Sequence, residues 1–128
     1  MTNELLQLWA HSFDNNHSVA IEDAYGNTLT YHNLYVQAKI IAGYIAKHYN
    51  GFSFVPIQAD NNLDSYALIL GTWLANKAYV PITSDTPPQR IQHILNTINC
   101  FQILTWEEAK YANPITNFPE NQNEYALI

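Results

Sequence analysis

Five histidines, eleven carboxylates, one cysteine and five basic side chains are the groups in this 128-residue chain that could do chemistry. Their spacing does not assemble them. His11, His17, His32, His48 and His93 show no metal-ligand spacing with one another, with Cys100 or with a carboxylate, and they read as surface histidines. Glu22-Asp23 and Glu107-Glu108 are adjacent pairs, which point different ways on a strand or a helix, so both read as solvated rather than as acid–base partners. Cys100 opens an apolar run with no base nearby in sequence and reads as a core residue. Gly26, Gly43, Gly51 and Gly71 are isolated, so there is no glycine-rich phosphate loop. Arg90 lies on a helix that starts Thr-Pro-Pro-Gln, where a surface role is expected. No catalytic, cofactor-binding or metal-binding residue is assigned to residues 1–128; the chain reads as scaffold.

Composition says what the scaffold can meet. Only 12% of the residues are charged, against roughly 25% in an ordinary soluble domain. Either part of the surface is covered by a partner or further polypeptide, or the sequence reflects a bias toward Asn, Tyr and Ile codons. The net charge is −6 and the five basic residues are scattered, which excludes a nucleic-acid footprint. No apolar run approaches the roughly 18 residues of a membrane span. The first residues carry Glu4 and no positive region, unlike a secretion signal. A single cysteine fits a reducing compartment, and a cytoplasmic location is expected.

Periodicity supplies the elements. A short amphipathic helix is expected at 4–13, a strand at 18–22, and a turn at Tyr25-Gly26-Asn27 into a short strand at 28–30. Thr30 should cap a helix over 31–49, with Asn33 at its third position and Asn50-Gly51 closing it. A strand follows at 54–58, where Pro56 predicts an edge or a bulge. Asn62 and Asp64 open a helix over 63–75 that is apolar around much of its circumference. Asn76 stands where a helix end wants a positive φ, so the strand at 78–82 can begin almost at once. Thr86, Pro87 and Gln89 predict an N-cap, a first-position proline and a capping box for a helix over 87–98. A strand at 101–105, a possible helical turn after it and an apolar strand at 125–128 complete the pattern. The order is that of an α/β sheet with parallel helical crossovers among 54–58, 78–82 and 101–105.

"LTYHNL" (29–34) resembles a segment near the start of adenylate-forming enzymes, and "ALILGTWLANKAYVPITSDTPPQRI" (67–91) is similar to a second segment of that family. "FQILT" and the final "YALI" continue the likeness, which is nearest to adenylation domains of peptide synthetases and to D-alanine–carrier protein ligases. The chain departs from the family at Leu74-Ala75-Asn76, where Lys-Ala-Gly is usual, and at Thr83-Ser84, where Asp-Pro is usual.

The resemblance implies that residues 1–128 are the N-terminal lobe of an adenylation domain, a fragment without the family's phosphate loop, adenine contacts or catalytic lysine. It implies ATP and Mg²⁺ for the complete enzyme, and no cofactor for this stretch by itself. An amino acid, with D-alanine first, is the expected substrate, and a carrier-protein thiol the acceptor. The expected partners are the remainder of the adenylation domain and the carrier protein, with self-association of the isolated lobe. The alternatives are a stand-alone, non-catalytic interaction module and the lobe of an acyl-CoA synthetase.

Overall fold

The computed structural model describes residues 16–60 and 62–115. The helix expected at 4–13 and the strand expected at 125–128 lie outside the described residues. Strands β1 (Val19–Glu22) and β2 (Thr28–Thr30) form an antiparallel hairpin. Asp23 organises its turn: one carboxylate oxygen accepts from the backbone N–H groups of Tyr25 and Asn27, both at 2.9 Å. Gly26 supplies the positive φ, 85°.

Helix α1 (Tyr31–His48) begins as its sequence indicates, with Thr30 Oγ1 accepting from Asn33 N at 3.1 Å. Strand β3 (Phe54–Gln58) leads into α2 (Leu63–Leu74), whose cap is Asn62 accepting from Ser65 N at 3.1 Å. Asn76 then takes φ 62°, and β4 (Ala78–Ile82) follows after a single residue. Strands β3 and β4 pair in parallel from Phe54 against Ala78 to Gln58 against Ile82. The α/β class and the parallel crossover through α2 are as the periodicity indicates. The bounds of α1 and α2 fall within a residue of the expected ones, which is within the fraying of any helix end.

Helix α3 (Pro88–Ile98) corrects the expected cap. Pro87, with ψ 143°, is the capping position, and no side chain bonds there. The cause is the double proline. Pro88 forces the residue before it out of the helical region, so the helix cannot start until Pro88 and Thr86 stands one residue too early. Thr86 instead closes the preceding turn: its N–H donates to the Thr83 carbonyl at 3.1 Å, and its hydroxyl accepts from Thr83 N at 3.2 Å. At the far end Asn99, φ 54°, ends α3 in the left-handed conformation, a second use of Asn where Gly is usual.

The segment 101–105 is also a correction. It is not a ladder strand but a single parallel bridge, Leu104 to Ile57. Leu104 N donates to the Pro56 carbonyl at 2.8 Å and Gln58 N donates to the Leu104 carbonyl at 2.9 Å. The next rung toward the strand starts would run from the N–H of residue 56 to the Gln102 carbonyl, and proline has no N–H to give. That carbonyl accepts from the Tyr49 hydroxyl instead, at 2.9 Å. Pro56 is therefore in the middle of three extended segments rather than on the edge its type suggests. Pro81 is on the edge: Ile82 on β4 bonds toward β3 (Ala59 N to the Ile82 carbonyl, 2.8 Å), so its neighbour's nitrogen turns outward.

Helices α1 and α2 bury one face of the parallel pair. Ala38, Ile41, Ile45, Val55, Ile57, Leu68, Leu74 and Leu104 form its core with Cys100. The two helices cross at Gly71, where a Cβ would stand 2.5 Å from Ile41 Cβ and 2.8 Å from the Ala38 carbonyl oxygen. Crossovers are right-handed. The step from β3 to β4 thus puts α2 on this face, and the return step past β3 to Leu104 puts α3 on the other. On α3 only Leu95 is buried. Short α4 (Trp106–Ala109) follows the bridge, capped by Thr105.

Candidate functional site

Parallel strands collect their carboxyl ends at one end of a sheet, and in open α/β sheets ligands bind just beyond those ends. Here that position is a crevice of about 170 Å³ between Gln58, Asp60, Asp64, Leu68, Thr105 and Trp106, closed by Glu107. Asp60 leaves β3 and holds two neighbours: one carboxylate oxygen accepts from Ser84 N at 2.8 Å, the other from Gln58 Nε2 at 3.0 Å. The Ser84 N–H, followed by the Gln58 amide, keeps its carboxyl below the usual carboxylate range. Its backbone carbonyl accepts from the Ser65 hydroxyl at the start of α2. Asp60 thus ties the ends of β3 and β4 to the first turn of α2.

Asp64 lies deeper. Burial, and next the Glu107 carboxylate, raise its pKa, while the Lys110 ammonium opposes them. Lys110 is engaged with Glu107 at 2.7 Å. The crevice holds more carboxylates than cations, so it resists a triphosphate. Among the described residues no three His, Cys, Asp or Glu side chains stand together as a metal site. The residues present do not fit ATP–Mg²⁺, and no step of nucleotide chemistry is assigned to them. What the arrangement does is fix the geometry of the loop 83–86, whose Ser84 N–H is held by Asp60. The Thr83 hydroxyl bonds the Asp85 carboxylate and reaches the Thr86 hydroxyl at 2.9 Å.

A second groove, about 330 Å³, runs between the last turns of α1 and the segment after α4, lined by Tyr44, Lys47, His48, Glu108 and Tyr111. The Tyr44 and His48 rings lie 4.2 Å apart. Burial, with Glu108 next, raises the Tyr44 pKa.

The residues singled out from sequence are dispersed. His17 and His32 face each other at 5.2 Å between ring centres, His48 lines the second groove, and His93 is exposed on α3; His11 lies outside the described residues. Asp23 holds its turn, Glu107 pairs with Lys110, and Glu108 completes a reciprocal cap with Thr105, whose hydroxyl donates to its carboxylate at 3.1 Å. Cys100 is buried and Arg90 is exposed, as their settings indicate. Sequence reasoning missed Asp60. The signal was its position directly after β3 and before the α2 cap, which any carboxylate tying two strand ends to a helix start would occupy.

Comparison with known proteins gives one consistent answer. The family model described as "AMP-binding enzyme" matches residues 8–126. Malformin synthetase mlfA of Aspergillus tubingensis is 30% identical over 118 residues, 86% of this chain and 2% of that protein. Gramicidin S synthase 1 of Brevibacillus brevis is 37% identical over 78 residues, 60% of this chain and 7% of that protein. The N-terminal subdomain of Klebsiella oxytoca NpsA shares the fold with a TM-score of 0.73 at 15% identity, over 92% of this chain and 35% of that one. The chain thus spans a small part of the curated relatives it matches. Among the described residues no helix is long and apolar enough to cross a membrane.

Proposed function

The chain belongs to the AMP-binding enzyme family, and on that premise we propose that it is the opening lobe of a peptide-synthetase-type adenylation domain. The complete protein joins the carboxylate of an amino acid to AMP with release of pyrophosphate, and then passes the acyl group to a carrier-protein thiol. The observation that supports this most is the match across residues 8–126 to the AMP-binding family, whose similar relatives here are two peptide synthetases.

Within that reaction the part of this chain is positional. The acidic crevice at the strand ends does not hold phosphates, so donors for the nucleotide and for Mg²⁺ come from polypeptide beyond these residues. The lobe contributes a rigid sheet whose strand ends, loop 83–86 and α2 start are fixed through Asp60. Fixed supports of this kind let a neighbouring site keep its donors aimed without reorganisation.

The test is amino-acid-dependent exchange of pyrophosphate into ATP by the protein made from the complete reading frame. A panel of D- and L-amino acids and short fatty acids serves as substrates, with D-alanine as first choice. Exchange with an amino acid supports the reading. Exchange with fatty acids alone moves the protein to the acyl-CoA synthetases, and no exchange with any carboxylate makes it a non-catalytic module. Calorimetric titration of residues 1–128 with ATP–Mg²⁺ should show no tight binding.

A further inference from the structure

His17 and His32, far apart in sequence, are neighbours in the fold. Their ring centres lie 5.2 Å apart, with the planes tilted by 52° rather than stacked flat. The backbone on both sides of His17 holds them there. The Asn16 carbonyl accepts from His32 N at 2.8 Å, and the Ser18 carbonyl accepts from Tyr31 N at 3.0 Å. The Asn16 side chain accepts from Ser18 N at 3.0 Å. The segment entering β1 is thereby clipped to the first turn of α1, and the clip brings two imidazoles together in advance. An ion that bridges them has little ordering entropy left to overcome. His17 is exposed and His32 half-buried, so the pair is open to solvent.

We propose that His17 and His32 form a two-imidazole site for a transition-metal cation, Zn²⁺ first. With a metal–nitrogen bond of about 2.1 Å and roughly 1.1 Å from nitrogen to ring centre, each ring centre stands about 3.2 Å from the ion. At a tetrahedral angle the two centres are then about 5.2 Å apart, and at the right angle of a square-planar ion about 4.5 Å. The observed 5.2 Å fits the tetrahedral ion. Among the described residues no third His, Cys, Asp or Glu completes a cluster with them. Water therefore fills the remaining positions and the metal exchanges, unlike a structural zinc with four protein ligands. A helix start opposes a cation, but here the Tyr31, His32 and Asn33 N–H groups are already taken by the Ser18 and Asn16 carbonyls and the Thr30 hydroxyl. The net charge of −6 favours the approach of cations. Once bound, the ion ties the entry to β1 to α1 and stabilises the fold by mass action.

Calorimetric titration of the protein from the complete reading frame with zinc chloride tests this, because comparison between variants cancels zinc bound elsewhere. His17→Gln, His32→Gln and the double variant are set against the wild type and against His93→Gln, a change on the exposed side of α3. Each single variant should lose one zinc equivalent or bind it at least about tenfold more weakly. The double variant should lose no more than either single one, as two ligands of one ion require, and His93→Gln should keep the full complement. Carbethoxylation by diethyl pyrocarbonate, mapped by peptide mass spectrometry, needs no variant and so guards against a substitution that fails to fold. Zinc should slow modification of His17 and His32 at least about tenfold and leave His93 reactive. Equal zinc binding by the wild type and both single variants overturns the site, as does a loss on substituting only one of the pair. Protection that extends equally to His93 also overturns it, since zinc is then shared among surface histidines.

Discussion

Asn76 shows what one residue type can and cannot announce. Its place between an apolar helix and an apolar strand makes the left-handed conformation legible, and φ 62° is the result. An alanine there meets the left-handed penalty of about 1–2 kcal/mol, whereas glycine does not. Denaturant midpoints should therefore order the wild type and Asn76→Gly above Asn76→Ala, and an unaffected Asn76→Ala would refute a conformational role. Tyr49 was not legible in the same way. Nothing local says that its hydroxyl serves a carbonyl 53 residues on, because the need arises from Pro56 on a third segment. Tyr49→Phe should cost about 1 kcal/mol, the net worth of one hydrogen bond. Burial first, then Cys100, Tyr44 and Glu108, raise the Tyr49 pKa. With the folded value above the unfolded one, the native state keeps the proton longer. Its contribution is complete below about pH 10 and is lost as pH rises above it. Alkaline titration of stability should therefore fall less steeply in Tyr49→Phe than in the wild type, and identical slopes would remove Tyr49 from the account.

At the scale of elements, helices and their order were readable because their apolar spacing is local, while caps and strand partners depend on a neighbour's geometry. Asn62 was correctly placed as an opener, since nothing after it disturbs the first turn of α2. Thr86 was misplaced because Pro88 governs the residue before it. Asn62→Ala should destabilise by about 1 kcal/mol, and Thr86→Ala should cost less, since it removes turn contacts and no cap; the reverse order in urea midpoints would restore Thr86 as the cap. The crossing of α1 and α2 makes a sharper claim. Gly71→Ala drives a methyl into Ile41 and the Ala38 carbonyl, and overpacking of this kind costs roughly 1–3 kcal/mol or more. A Gly71→Ala protein as stable as wild type would mean that the helices separate at little cost.

For the whole molecule, the candidate site was the least legible part, and for a physical reason. The strand-end crevice draws on β3, α2 and the segment after Leu104, so no single stretch of sequence contains it. The bridge at Leu104 has a consequence for time rather than shape. The third extended segment joins the sheet through two backbone hydrogen bonds, with the Tyr49 hydroxyl tying it to the end of α1, while β3 and β4 share a full ladder. Cooperative units with fewer such links open at lower free energy. In deuterium exchange the amides of Leu104 and Gln58 should therefore give up their protons before that of Ile57, whose N–H points to β4, and the sheet should come apart from the Leu104 side first.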